Sequence, residues 1–339
     1  MTVEFRRVRL ARSTTTNPWD NLAREEYLVN LCGDDEAILY LWQNAHTVVV
    51  GRNQNPWAEC RLDLLESEGG RLARRSTGGG AVYHDLGNLN YSFILPRRAY
   101  SMERQLGTVL GALRTLGISA EFSGRNDLVI GGRKFSGNAY QLTRHKGLHH
   151  GTLLLSADMA KLSRYLNVDP EKLKTKGVAS VASRVMNLRD ALPGLSLDDL
   201  LDALEREFLA RYRAPEVLRE AKEPEGEEYS SLAERYRSRE WRLGRSPECA
   251  VTVRRRFPWG GMEIRFNVKN GHAADPVVFS DAMDGEMILS LGKILEGVPF
   301  RWTEMAEAVR KAFPDSPEMA ETALWLEEAP ISGKKEADE

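Results

Sequence analysis

The chain has 339 residues, 42% hydrophobic and 28% charged, which is the make-up of a globular protein long enough for two domains. Lys and Arg number 47 against 49 Asp and Glu, a net charge of −2, so no global basic excess holds nucleic acid or an anionic membrane. The first residues lack a secretory apolar core, and no stretch reaches ~18 consecutive apolar residues. Three widely spaced cysteines, Cys32, Cys60 and Cys249, indicate no disulfide framework and a reducing, cytoplasmic setting.

In chain order, residues 37–42 (AILYLW) and 46–50 (HTVVV) read as two strands split by a polar turn, and 88–95 (NLNYSFIL) as another. Met102, Leu106, Val109, Leu110, Leu113 and Leu116 form one helical stripe, with Ser101 as N-cap and Gly117 as the stop. Short strands follow at 118–122, 127–130, 134–140 and 150–155. They lie too close together for crossover helices, which predicts a mixed or antiparallel sheet rather than a doubly wound parallel one. Residues 196–212 open on a capping box, Asp199 three after Ser196, and continue with an apolar face of Leu197, Leu200, Leu201, Leu204 and Phe208. The charged stretch 214–230, with two prolines, reads as an exposed connection. Strand patterns restart at 249–253 and 262–269. Helical patterns close the chain at about 286–296, 301–313 and 316–327, before a frayed tail.

Four segments carry chemistry. The first is Arg74-Arg75-Ser76-Thr77-Gly78-Gly79-Gly80-Ala81-Val82-Tyr83-His84-Asp85. Consecutive glycines cost conformational entropy, and they belong where backbone approaches another group closely. Their N–H groups can cradle phosphate or carboxylate oxygens, and the arginine pair adds fork-shaped cations. Neither GxGxxG nor GxxxxGK[ST] fits the stretch. The second runs from Gly124 to Leu128 and from Gly132 to Tyr140. Here Lys134, between Gly132 and Gly137, can present a point charge to a carboxylate or phosphate. Asp127 can hold Mg²⁺ or orient that lysine. The third is His149-His150-Gly151-Thr152. Neighbouring strand residues face opposite ways, so the histidines make a poor metal pair, and one packed with one exposed is expected. The other four histidines show no zinc spacing. The fourth, 172–185, is a basic loop with small residues after it, able to close over an anion. The same residues also fit a glycine-rich turn with two solvated arginines, a solvated strand lysine, an Asx-type turn and a surface loop. The residues alone leave these readings open.

In this order the segments resemble the lipoate–protein ligase A family. The matches are RRSTGGGAVYHDLGN (74–88), GRNDL (124–128), RKFSGNAY (133–140), HHGTLLL (149–155) and KGVASVASRVMNL (176–188). NPWDNLAREEYL (17–28) and VVVGRNQNPWAEC (48–60) lie upstream, with WRLGRSP (241–247) and RFPWGGMEIRFNVKNGH (256–272) downstream. The resemblance implies an α+β fold similar to biotin protein ligases and class II aminoacyl-tRNA synthetase cores. That is a mixed, largely antiparallel sheet with flanking helices, in a catalytic domain over 1–246. A small α/β accessory domain over 247–329 and a flexible tail, 330–339, would follow.

The resemblance also implies a two-step reaction. (R)-Lipoate and MgATP give lipoyl-AMP and pyrophosphate. The lipoyl group then passes to a lysine of a lipoyl carrier domain, in E2 subunits of 2-oxoacid dehydrogenases and the glycine-cleavage H protein. By resemblance, Arg75, Gly80, Ala81, Val82, Tyr83, Lys134 and Asp127 hold ATP, with Asp127 also the Mg²⁺ ligand. Lys134, Gly79, Ser136 and His150 hold lipoate, and Lys134 is the catalytic cation. Lys176, Gly177, Val178, Ser180, Ser183 and Arg184 form the loop over the adenylate. The chain departs from the pattern at Ala182, where many relatives carry Arg or Lys, which removes one auxiliary phosphate contact. Three related readings compete: a cysteine-dependent acyltransferase, a lipoyl-AMP transferase without the activation step, and a non-catalytic binding protein. A DNA-binding biotin ligase lacks room for a helix-turn-helix. Cys32 and Cys60 lie outside the four segments that carry chemistry, and Lys134 counts against a chain without catalysis.

Overall fold

Local chemistry sets the helix Met102–Thr115. Ser101 accepts from the Arg104 N–H at its start, and Gly117 takes a φ of +83° just past its end. Its buried face carries Leu106, Val109 and Leu113, and each such side chain contributes about 1.5–3 kcal/mol on leaving water. The helix Leu197–Arg211 likewise begins on a complete Ser196–Asp199 capping box.

The computed structural model describes residues 4–123, 126–167, 185–220, 222–243 and 251–328. In chain order its strands are β1 (Arg7–Arg12), β2 (Glu36–Trp42), β3 (Thr47–Val50), β4 (Arg71–Arg74), β5 (Val82–His84), β6 (Asn88–Pro96), β7 (Glu121–Ser123), β8 (Asp127–Ile130), β9 (Arg133–Leu142), β10 (Lys146–Leu154), β11 (Glu216–Glu220), β12 (Val251–Phe257), β13 (Gly260–Lys269) and β14 (His272–Ser280). The chain divides into two compact units. One comprises Met1–Val50, Pro56–Thr77 and Ala81–Arg242; the other comprises Gly51–Asn55, Gly78–Gly80 and Leu243–Glu339.

The first unit is built on an eight-stranded sheet in the order β11-β1-β2-β6-β10-β9-β8-β7. The β11–β1 and β1–β2 pairs are parallel and the others antiparallel. A smaller sheet, β4-β3-β5, accompanies it. Alternation along β6 and β10 supplies both faces of the large sheet. Tyr91, Phe93 and Leu153 pack with Val109, Leu113, Leu204 and Phe208 of the two helices above. Trp42, Ile94 and Leu148 pack with Leu22 and Leu28 of the helix Pro18–Leu31, and with Val49 and Ala73 of the small sheet. This mixed, largely antiparallel α+β architecture is the one expected from the sequence. The second unit is an antiparallel sheet, β12-β13-β14, joined in one core to the helices Gly285–Leu295, Trp302–Ala312 and Pro317–Glu328. Among the described residues no helix is long and apolar enough to cross a membrane.

The stretch 214–230 is not a plain connection. It contains edge strand β11 and the start of the helix Glu227–Arg237. Charge pairs across the parallel ladder offset its polar composition: Arg7 Nε lies 2.9 Å from Glu216 Oε2, and Arg9 bonds to Glu220. The sequence reading also passed over β1 and β14. β1 interleaves its apolar residues with arginines and β14 contains Asp275-Pro276, so neither presents a continuous apolar run.

Candidate active site

Lys134 sits near the start of β9, and its Nζ lies 2.7 Å from Asp127 Oδ1 on β8. The register of these strands slips between Leu128 and Val129: Leu128 pairs with Ser136 but Val129 with Lys134, leaving Phe135 as the extra residue. A bulge of this kind re-aims the side chains before it. Lys134 therefore shares a face with Gly137, the direct partner of Asp127. A Cβ at Gly137 would stand 3.1 Å from Lys134 Nζ, so the missing side chain leaves room for the ammonium. Both members of the pair are about one-third exposed. The ammonium is thus held by one carboxylate while still open to a second anion.

On the same face, on β10 next to β9, His150 pairs across the sheet with Ala139 and with Ser92. It anchors a chain of buried hydrogen bonds. Its Nδ1 lies 2.8 Å from Glu25 Oε1, and its Nε2 lies 2.8 Å from Thr77 Oγ1. Glu25 also accepts from Ser92 Oγ at 2.5 Å, and Ser92 accepts from Trp42 Nε1 at 2.9 Å. At the other end Arg75 Nε donates to Thr77 Oγ1 at 3.1 Å, and its Nη1 donates to Val49 O at 3.2 Å. Glu25, Thr77, Ser92, Arg75 and His150 are all buried. Burial pulls the Arg75 guanidinium down to about 10, and the Glu25 charge acts in the opposite direction. Its neighbour Arg74, also lowered to about 10 by burial, donates to Trp241 O at 2.8 Å.

Sequence reasoning missed Glu25, Thr77 and Ser92 as parts of this cluster. Glu25 did leave a signal: it stands three after Leu22 and three before Leu28, a carboxylate on the buried stripe of its helix. The expectation of one exposed histidine is overturned, since His149 and His150 are both buried. They do face opposite ways. His149 Nε2 lies 3.0 Å from Asn138 Oδ1, which also accepts from the Tyr91 hydroxyl. The sequence groups Ser136 with Lys134 and His150, but the register puts Ser136 on the other face, where Asn138 Nδ2 donates to its Oγ at 3.4 Å.

Val82 opens β5 half-buried, beside buried Tyr83, whose ring packs against Tyr165 and His46. Gly79 and Gly80 group with the second unit. There the Gly79 N–H donates to Ala282 O at 2.9 Å, and a Cβ on Gly78 would meet that oxygen at 2.4 Å. Gly79 has a φ of +88°, while a Cβ on Gly80 would meet nothing within 4 Å. Close approach explains the first glycine and backbone conformation the second. Lys176, Gly177, Val178, Ser180, Ser183 and Arg184 lie outside the described residues, as does the tail 330–339. Among the described residues no group of three or more His, Cys, Asp or Glu could hold a metal. Cys32 and Cys60 are buried, and burial pushes both thiols up to about 12.

Comparison with known proteins gives concordant matches. The family model described as the lipoyl protein ligase A/B catalytic domain matches residues 17–209. That of the bacterial lipoate protein ligase C-terminus matches residues 246–318. Among solved structures, P. falciparum LipL1 in complex with lipoate is similar at a TM-score of 0.84 and 27% identity, over 95% of this chain and 100% of that one. A protein from Thermoplasma acidophilum, described as a bi-partite lipoate protein ligase with its E2 lipoyl domain, is similar at 0.59 and 31% identity, over 74% and 100%. A lipoate-protein ligase A bound with ATP is similar at 0.59 and 29% identity, over 71% and 99%.

Proposed function

This chain belongs to the lipoyl protein ligase A/B family and is a ligase, and on that premise we propose that it activates lipoate with ATP and transfers the lipoyl group to a specific lysine of a carrier domain. The observation that carries the chemistry is the Lys134 ammonium, held by Asp127 with space kept at its tip by Gly137. In the first step a lipoate carboxylate oxygen attacks the α-phosphorus of ATP and pyrophosphate leaves. Two anions must meet, so a preset cation lowers the barrier by stabilising charge that develops between them. Lys134 contacts both, and Arg75 and the stretch from Gly80 to Tyr83 contact ATP. In the second step the carrier's lysine amine attacks the mixed-anhydride carbonyl, AMP leaves, and the amine loses a proton. Lys176, Gly177, Val178, Ser180, Ser183 and Arg184 are the further proposed contacts to the adenylate, whose anhydride must be kept from water.

His150 and Gly79 complete the proposed lipoate set; Ser136 drops out because it faces away from Lys134. Mg²⁺ commonly takes one carboxylate and fills its shell with phosphates and water. Asp127 suits that single-ligand role, with the ion supplying charge neutralisation on the phosphates. The relative with its E2 lipoyl domain supports E2 carriers as partners, and the H protein follows from the same lysine chemistry. The same reading assigns 1–246 to catalysis, 247–329 to an accessory domain and 330–339 to a tail, and sets the reaction in the cytoplasm, where ATP and carriers meet. A cysteine-dependent transferase is disfavoured by the two buried, hard-to-ionise thiols.

The test is lipoate-dependent exchange of pyrophosphate into ATP with no carrier present. Exchange is expected. Its absence, with transfer from supplied lipoyl-AMP intact, would overturn the activation step in favour of a lipoyl-AMP transferase.

A further inference from the structure

The buried hydrogen bonds from Trp42 to Arg75 have one consistent direction. The Trp42 indole can only donate, so Ser92 accepts from it and passes its own proton to Glu25. An ionised carboxylate can only accept, so His150 presents Nδ1–H to it. Arg75 Nε can only donate, so Thr77 Oγ1 accepts there, and its own proton can be donated to His150 Nε2. Donors run inward from both ends and meet on Glu25. A neutral imidazole protonated at Nδ1 satisfies every bond of this series, and the partner of one ring nitrogen fixes the state of the other.

We propose that Glu25 is a positioning residue: its buried carboxylate fixes the His150 ring with Nδ1 protonated and, through Thr77, sets the orientation of Arg75 as an anion contact for ATP. This inference deepens the ligase reading and rests on it for the role of Arg75. Glu25 itself touches no substrate in this scheme. Its effect passes through three buried hydrogen bonds, each 2.8–3.1 Å long. Arg75 lies on the segment leaving β4, where a buried guanidinium needs an opposing charge and fixed partners to stay ionised and aligned. Glu25 supplies the charge from the facing helix, and Thr77 supplies the fixed acceptor.

Two variants of the full chain separate this role from simple packing. Glu25→Gln keeps the shape and removes the charge. Thr77→Val keeps the volume and removes the hydroxyl that links His150 to Arg75. Each is expected to raise KM for ATP in lipoate-driven exchange by roughly tenfold, at the lower end of what outer partners of a site residue contribute, with kcat little changed. The double variant should be no worse than the worse single one, because both cut the same series. Nitrogen-15 spectra of histidine-labelled protein, with His150 assigned by its loss in His150→Gln, should show Nδ1 protonated in the wild type and an altered ring state in Glu25→Gln. A wild-type ring protonated at Nε2 or at both nitrogens overturns the proposal, whatever the exchange shows. So does an unchanged KM for ATP in both variants. A wild type without lipoate-driven exchange overturns the ligase reading instead, and the spectra still decide the state of the ring.

Discussion

The Lys134 ammonium and the Asp127 carboxylate meet at 2.7 Å because β9 carries one residue too many. If Phe135 took a regular place in the ladder instead of bulging, strict alternation would put Lys134 on the face of Ser136 and leave Asp127 opposite Gly137 alone. The bulge returns the lysine to the face of Asp127, and Phe135 remains fully buried in the core behind. We expect Lys134→Ala to keep the fold, since the side chain is partly exposed, and to lose lipoate-driven exchange by about 10²–10³-fold, roughly 3–4 kcal/mol. Exchange within a few-fold of wild type, with a native circular dichroism spectrum, would remove the lysine from the chemistry.

Gly137→Ala tests the same geometry from the other side. The new Cβ would sit 3.1 Å from Lys134 Nζ and 3.2 Å from its Cε, so the flexible end of the lysine must shift by a few tenths of an ångström. A misplacement of 1 Å can cost about 10²-fold in rate, so a smaller shift should cost roughly tenfold. Gly137 has no positive φ, so the melting temperature should stay close to that of wild type. An unchanged exchange rate would show that the open space at Gly137 does not position the cation.

Much of this was legible because its causes are local. Ser101 and Gly117 bracket one helix and Ser196 with Asp199 opens another, and each works within a few residues. The ordered motifs around Arg75, Lys134 and His150 were readable for the same reason. The partnership of Glu25 with His150 joins residues 125 apart, and that of Thr77 with His150 joins residues 73 apart. Neither leaves a spacing in the sequence. The bulge at Phe135 was hidden because RKFSGNAY reads as plain alternation until its partner strand is known. Strand β11 was hidden because its own composition is polar and the arginine that pairs with Glu216 lies 209 residues away.

Cys32 and Cys60 should prove dispensable for turnover. With thiols near 12, only about one in ten thousand is ionised at pH 8. Serine at either position should leave carrier modification close to wild type, at a stability cost of about 1–3 kcal/mol for a poorly paired buried hydroxyl. Iodoacetamide should label both sites only after unfolding, read by peptide mass so that Cys249 is scored separately. Loss of carrier modification in either serine variant, with native circular dichroism, would restore the cysteine mechanism.

Stability should fall in mild acid because of His84 and His149. Burial lowers both to about 3 from the ordinary value of 6.5, and at His84 the Arg75 guanidinium is a lesser cause in the same direction. His84 Nδ1 lies 3.2 Å from Asn44 Nδ2, and His149 sits among the rings of Tyr91, Phe93 and Tyr100. Neither setting offers an anion to a protonated ring. The sign follows from the protons bound. Between about pH 6.5 and 3 the unfolded chain holds a proton on each ring and the folded chain does not. Their contribution is therefore complete above pH 6.5 and declines as the pH falls toward 3. Each histidine then contributes a slope of up to about 1.4 kcal/mol per pH unit. His46, lowered mainly by burial as well, acts in the same direction. Carboxylates at their ordinary values are mostly ionised in both states at pH 5.5, so proton uptake on urea unfolding there reports chiefly on histidines. His149→Phe keeps an aromatic ring in the pocket and removes the titrating group. It should take up about one proton fewer than wild type at that pH. Equal uptake by the two proteins would mean that His149 is already charged in the folded state, or that its surroundings do not exclude the proton.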